Sequence, residues 1–333
     1  VKVIECPAAW RADALGSEQG LVVSLSAREQ GAFEEALAAV REKSLPLTEM
    51  SRDDFPLPGC EGLIRGLIHE IRDGRGALIL RGLEQYIAEE EDAAKVFWGL
   101  GQHLGIPEPQ DADGALLHHI RDIGAEVRGT DNIRGFQTHH PLAYHNDGGD
   151  FFMLYCLRQS RAGGDSILVS AVSVYNEIVR RRPDLAEVLC EPFAFDARSN
   201  QLPGQKRVQE VPIFTVEDGC LYVLYKRGYI QLAQRFEEVP QLTRAQTEAM
   251  DLMDEVCGDP RFCLRFRLRP GDIEIANNFL VLHGRTGYER NEPRHLLRLW
   301  LTLREGFPIP EALSTTREFG LTWERRQRLN AAD

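Results

Sequence analysis

Several things are scarce in this 333-residue chain, and each scarcity excludes something. No apolar run approaches the roughly 20 residues that cross a bilayer, so no membrane helix is expected. Basic charge is in deficit: 39 Lys and Arg stand against 51 Asp and Glu, a formal net charge of −12. That argues against a general nucleic-acid binder, whose affinity rests on Lys and Arg at phosphates. The cysteines, Cys6, Cys60, Cys156, Cys190, Cys220, Cys257 and Cys263, are odd in number and scattered, with no Cys-x-x-Cys pair. A disulfide framework is not expected, and a reducing, cytoplasmic setting is. The first residues show no basic segment followed by an apolar core, so no secretory signal is read there. Repeats, low-complexity tracts and dividing linkers are also missing, which predicts one domain over residues 1–333.

What is present is a globular composition, 43% hydrophobic and 27% charged, in a chain long enough for a large core. Early segments read as helices around a little sheet. Leu21 to Leu25 suits a short strand. Ser26 followed by Glu29 forms a capping box that opens a helix to about Lys43, with Phe33, Leu37 and Val40 on its buried face. Leu63, Leu67 and Ile71 recur at a helical period over 61–73, closed by Gly74 and Gly76. Ala77 to Leu80 suits a buried strand, 88–104 another helix, and Leu116 to Ile123 a further strand.

From about residue 130 the pattern turns to strands. Apolar runs at 151–157, 167–170, 193–195, 211–216 and 221–225 alternate with turn residues, as in an all-β core rather than βαβ units. Helices fit 172–181, a short stretch from Pro183, and 243–256. Then come 262–268, 273–276, 279–283 and 295–303, read as closely spaced antiparallel strands. The tail from Pro308 reads as irregular or peripheral helix. The fold class expected is mostly β with flanking helices, the N-terminal helices of 26–73 packing on the core.

The chemistry centres on Tyr144-His145-Asn146-Asp147-Gly148-Gly149-Asp150. Read as a strand, it puts His145 and Asp147 on one face, where both can grip one ion. The two glycines remove bulk and let the backbone bend beside them. A third ligand is expected from His283, at the end of an apolar strand. Two imidazoles and one carboxylate leave positions open on a metal, which suits non-haem Fe(II) and oxygen chemistry, with zinc as the competing ion. Each element alone is weak: a His-x-Asp pair is commonly just hydrogen-bonded. The remaining histidines, His69, His103, His118, His119, His139, His140 and His295, have no carboxylate in strand register and are read as structural. Arg294 and Arg298, eleven and fifteen residues after His283, would share one face of a strand. A buried guanidinium there needs an anion and is shaped to hold a carboxylate by two parallel hydrogen bonds.

His145-x-Asp147, the Gly163-Gly164-Asp165-Ser166 turn, His283, Arg294 and Arg298 together resemble the taurine dioxygenase/TfdA group of Fe(II)- and 2-oxoglutarate-dependent oxygenases. The likeness runs in order and spacing over roughly 75–305. It implies a double-stranded β-helix, the jelly-roll or cupin-like core, with Fe(II) at the positions of His145, Asp147 and His283. It implies that Arg294 takes the distal carboxylate of 2-oxoglutarate, that Ser166 assists with its hydroxyl where better-known members have threonine, and that Arg298 lies near the cosubstrate. Retention of Asp147, where halogenating relatives have a small residue, favours hydroxylation or another C–H oxidation, with O2 consumed and 2-oxoglutarate decarboxylated to succinate and CO2. The substrate is expected to be a small organic molecule. Gln137, His139 and His140, upstream of the metal pair, and Tyr225, Lys226 and Arg227 are the candidates to touch it. The 200–207 stretch reads as a loop that would serve as a lid, and Asn277 and Asn278 as satisfying backbone groups. A homo-oligomer is common among relatives, but no feature here decides it. Two alternatives stay open: a metal-dependent hydrolase or lyase on the same three ligands, which leaves the arginines unexplained, and a non-catalytic jelly-roll used for binding, which predicts a lost ligand.

Overall fold

Strand β15 (His295–Leu303) is buried along its whole length, and its side chains alternate between two apolar layers. Leu297, Leu299 and Leu301 face one layer, while Leu296 and Trp300 face the other. Such a strand lies between covered faces, which is why it reads as one apolar run interrupted by a single arginine. The computed structural model describes residues 1–124, 135–199, 201, 204–306 and 308–331.

In chain order the strands are β1 (Val22–Ser24), β2 (Ala77–Arg81), β3 (Gly105–Pro107), β4 (Leu117–Ile120), β5 (Leu142–His145), β6 (Phe151–Arg158), β7 (Ser166–Ser170), β8 (Pro192–Asp196), β9 (Val208–Pro212), β10 (Phe214–Glu217), β11 (Cys220–Val223), β12 (Cys263–Phe266), β13 (Ile273–Asn277), β14 (Val281–Arg285) and β15. The larger sheet runs β1-β2-β13-β6-β15-β3, with β4 also on β15; the smaller runs β12-β7-β14-β5. Apart from the parallel β1–β2 pair, the pairings are antiparallel. β8–β9 and β10–β11 are separate antiparallel pairs.

From β5 to β7, and again from β12 to β15, successive strands change sides. β5, β7, β12 and β14 lie in the smaller sheet, and β6, β13 and β15 in the larger. This is the jelly-roll: the last four strands are closely spaced and antiparallel as read, but they pair with β6 and β7 rather than with one another. β13 and β15 both pair with β6, and β12 and β14 both pair with β7. Local spacing cannot distinguish a hairpin from a crossing to the opposite sheet, because the side-chain alternation is the same in both.

Three apolar layers follow from that alternation. Between the sheets lie Phe152, Ala276, Leu296 and Trp300 against Leu168, Val281, Leu264 and Phe266. On the outer face of the larger sheet, Phe151, Met153, Tyr155 and Ile275 meet Phe33, Leu37, Leu67, Ile71 and Phe97 of the N-terminal helices Ala27–Lys43, Glu61–Arg72 and Glu90–Leu104. The first of these has the expected capping box, with Ser26 and Glu29 bonded reciprocally. On the outer face of the smaller sheet, Val169 and Leu282 meet the helices Ala171–Arg181 and Arg244–Gly258 and the two strand pairs. All seven cysteines are free, and no helix among the described residues is long and apolar enough to cross a membrane.

The tail departs from its expected peripheral character. Leu313 and Phe319 are fully buried, and Phe319 stacks near Phe279, centroids 4.6 Å apart. Glu318 pairs with Lys226 at 2.7 Å, and Arg326, in the helix Gly320–Asn330, with Asp150 at 2.6 Å. Its polar composition conceals this because the buried charges are neutralised by partners distant in sequence.

Candidate active site

His145 is the last residue of β5, and His283 sits directly opposite it on β14. Asp147 is not on a strand, contrary to the strand reading: β5 stops at His145, and residues 146–150 form a turn before β6. That turn is held from below. Asn278 accepts from the Asp147 backbone N–H at 3.0 Å and donates to the carbonyls of Gly148 and Gly149. Asn146 donates to the carbonyls of Val223 and Asn278 and accepts from the Tyr225 N–H. Gly149 adopts φ +77°, and a Cβ there would lie 2.8 Å from the Leu301 carbonyl oxygen. The tight turn brings Asp147 back under the two imidazoles.

The three side chains converge, with one ligand-type atom from each lying within 4.8 Å of the others. Asp147 Oδ2 is 3.6 Å from His283 Nε2, and Asp147 Oδ1 is 4.0 Å from His145 Nε2. His145 Nδ1 lies 2.8 Å from the Ala143 carbonyl; donation there leaves the Nε2 lone pair facing Asp147. Burial lowers the pKa of both imidazoles, so they are neutral at physiological pH. Burial alone would raise Asp147, but the Arg298 guanidinium beside it, with Lys226 farther off, outweighs burial and holds the acid ionised. Neutral imidazoles and an ionised carboxylate are the states a divalent metal requires.

Beside the three lies a cavity of about 450 Å³ between the sheets. Arg298 reaches Asp147 through Nη1 at 3.0 and 3.2 Å and donates from Nε to Gln110 at 2.7 Å, its guanidinium carbon within 5 Å of the Phe136 and Trp300 rings. Arg294, just before β15, is buried; its Nε donates to the Gly164 carbonyl, and its Nη1 has no partner. Ser166 lines the same end and donates to Glu274 Oε2 at 2.8 Å. The orphaned Arg294 N–H, in the same cavity as the Ser166 hydroxyl, fits a carboxylate, and the three ligand-type side chains fit a non-haem iron.

The comparisons agree with this geometry. Residues 43–300 match the family described as "Taurine catabolism dioxygenase TauD, TfdA family". The chain belongs to this family. Among its curated relatives, the FR-33289 synthase of Streptomyces rubellomurinus is 29% identical over 85% of each chain. A taurine hydroxylase-like protein of Stachybotrys chartarum is 29% identical over 87% of this chain and 77% of its own. A uridine-5'-phosphate dioxygenase of Amycolatopsis is 32% identical over 53% of this chain and 66% of its own. In fold, the chain is similar to asparagine oxygenase solved with Fe(II), 3-hydroxyasparagine and succinate (TM-score 0.64, 18% identity, 84% of this chain and 93% of that one). It is similar likewise to the non-haem iron oxygenase OrfP with iron and 2-oxoglutarate (TM-score 0.61, 18% identity, 84% and 93%). This TauD/TfdA member is an Fe(II)- and 2-oxoglutarate-dependent oxygenase acting on a small molecule. The hydrolase and the silent scaffold are set aside.

The substrate candidates separate. His140, Lys226 and Arg227 line the cavity; Gln137, His139 and Tyr225 do not. Tyr225 is buried and its hydroxyl donates to Asp254 at 2.6 Å, because strand alternation past β11 turns it away from the cavity. His139 lies with Nδ1 3.3 Å from Asp122, and Gln137 closes a short 3-10 turn, Gly135–Gln137. Arg227 is held by Asp251 and Asp254. Of the 200–207 stretch expected to be a lid, residues 200, 202 and 203 lie outside the described residues. The histidines read as lacking carboxylates find them across the fold: His118 has Asp111 at 2.8 Å, and His119 and His295, 2.9 Å apart, each have Glu90 at 3.6 Å.

Among the lining residues that escaped the sequence reading are Arg285, Glu274, Trp300 and Tyr229. Arg285 had a signal, since it lies two residues after His283 and so on the same face of β14. Glu274 had one too, as a lone acid inside the apolar run of β13.

Proposed function

We propose that His145, Asp147 and His283 hold Fe(II), that Arg294 and Ser166 take the distal carboxylate of 2-oxoglutarate, and that a C–H bond of a small anionic substrate is hydroxylated above them. The observation that carries this reading is the convergence of two neutral imidazoles and one ionised carboxylate beside a buried guanidinium with an unsatisfied N–H. Iron bound there would supply the O2 chemistry, in which one oxygen atom would go to succinate as the 2-oxo acid loses CO2 and the other to the substrate C–H bond.

The residues of this chain do the placing. Ala143 fixes the tautomer of His145, Asn278 fixes the backbone of Asp147, and the apolar walls Leu154, Leu296 and Trp300 exclude water from the reacting end. The negative charge proposed for the substrate is supported by the basic side chains Arg198, Lys226 and Arg227 in the lining, of which Lys226 is backed by Glu318, and Arg227 by Asp251 and Asp254, from outside it. Relatives named for uridine-5'-phosphate are consistent with it. A single domain spanning the chain is part of the same proposal, supported by the tail's buried pairs with the barrel.

The test is anaerobic addition of Fe(II) and 2-oxoglutarate. A weak visible charge-transfer band is expected, reporting chelation of the 2-oxo acid at iron, and it should be absent from Asp147→Ala. Succinate release should then be stimulated by anionic members of a panel of small molecules above neutral analogues. Metal-loaded protein without the band would overturn the reading.

A further inference from the structure

Arg285 is a buried guanidinium that the proposed function leaves without a task. It is 4% exposed and lines the cavity beside Arg294. Its Nη2 donates to the carbonyls of Thr138 and His140, at 2.7 and 2.5 Å, but its Nε and Nη1 have no partner. Arg294 Nη1 is likewise unpartnered. Both guanidinium carbons lie near the Tyr288 ring, at 4.8 Å from its centroid for Arg285 and 5.7 Å for Arg294.

Two buried cations that line one cavity with unpaired N–H groups are costly unless an anion joins them. The acids at hand do not serve. Asp122 attracts Arg285 and Glu274 attracts Arg294, but neither is within ion-pair distance of its guanidinium among the described residues. Glu274 is instead bonded to Ser166. Charge counting then gives Arg285 a role. Arg298 is matched by Asp147. If Arg294 were the only other cation, Glu274, which burial pushes up to about 7, would balance it once ionised above that pH, and a second carboxylate entering this end would then meet a neutral site with an acid in it. Two guanidinium groups and Glu274 leave one positive charge over, which is what one carboxylate neutralises.

We propose that Arg285 is the second cation of the cosubstrate site, sharing the distal carboxylate of 2-oxoglutarate with Arg294 and thereby allowing that carboxylate to bind in the presence of Glu274. This rests on the function proposed above. It assigns Arg285 a specificity role, selecting a dicarboxylic 2-oxo acid over a monocarboxylic one of the same length.

The experiment is anaerobic titration of the Fe(II) protein, followed by the charge-transfer band, with 2-oxoglutarate and with 2-oxopentanoate, which chelates alike but lacks the far carboxylate. Arg285→Gln is expected to weaken 2-oxoglutarate by about 10- to 100-fold, the range for loss of a charged hydrogen-bond partner, while changing 2-oxopentanoate less than about twofold. Arg285→Lys should keep most of the preference. Glu274→Gln added to Arg285→Gln should restore 2-oxoglutarate binding, because it removes the acid that the second cation offsets. A residue that only supports the 138–140 backbone would weaken both oxo acids equally and would not be rescued at Glu274; that result overturns the proposal, as does unchanged selectivity in Arg285→Gln. A wild-type protein that binds Fe(II) but shows no band with either oxo acid overturns the underlying function, and this proposal with it.

Discussion

His145 and His283 face each other across the β5–β14 pair, their ring centroids 4.2 Å apart. Directly opposed positions in an antiparallel pair are the closest cross-strand neighbours a sheet offers. Phe152, from the facing sheet, closes on His283 at 4.2 Å. Both sheets therefore hold the pair, and the third candidate ligand need only arrive from the turn beyond β5.

The Arg298–Asp147 contact predicts a stability effect that metal reverses. Removing the guanidinium leaves a buried carboxylate unpaired, which costs about 3 kcal/mol. Arg298→Gln is expected to lower metal-free stability by roughly that amount in urea unfolding. Added Fe(II) or Co(II) should recover much of the loss, because the cation then supplies the charge. No recovery would mean that Asp147 does not meet the metal.

Gly149→Ala tests the turn. A side chain at φ +77° is strained, and the Cβ would meet the Leu301 backbone at 2.8 to 2.9 Å, where nothing flexible can yield. A loss of about 2–4 kcal/mol is expected, together with a lower iron stoichiometry, since Asp147 lies two residues away. Full iron content in a stable variant would contradict this.

His295 predicts a pH dependence of stability. Burial holds it down to about 4, against the partial opposition of Glu90, whereas in the unfolded chain it titrates near 6.5. Between these values the unfolded state binds more protons, so stability rises with pH through the window and is lost as pH falls from about 6.5 toward 4. His295→Gln should remove about 1–2 kcal/mol of the difference between pH 6.5 and pH 5 in denaturant unfolding. An unchanged slope would refute it.

Glu318 tests the tail. Its carboxylate is buried against Lys226 at 2.7 Å, and the Glu318 carbonyl accepts from the Gly149 N–H at 3.1 Å. Glu318→Ala strands the lysine and should cost about 3–5 kcal/mol. Glu318→Gln, which keeps a hydrogen-bond acceptor, should cost less. A surface tail would show neither loss in thermal unfolding.

The strands were legible because alternation is local, and so were the helices, because their caps and periods are. Ser26 with Glu29 marked the first long helix to the residue. Pairing was not legible: nothing in 262–303 distinguishes neighbours in one sheet from strands that cross between two. The candidate ligands were visible as residue types at a spacing, but Asp147 reaches the imidazoles by a turn that Asn278 holds, and no pattern around residue 147 announces a partner 131 positions away.

By itself the chain order of His145, Asp147, His283, Arg294 and Arg298 determined the family and with it the reaction class, because those side-chain chemistries at those offsets serve few other ends. Only the tertiary structure decided which further residues share the cavity. Arg285 and Glu274 enter it through the inward faces of β14 and β13, while Tyr225 and His139 turn away. The reason is physical: a side chain's chemistry is carried by its own atoms, but its charge, protonation and partners are set by what the opposite sheet places within a few ångströms of it.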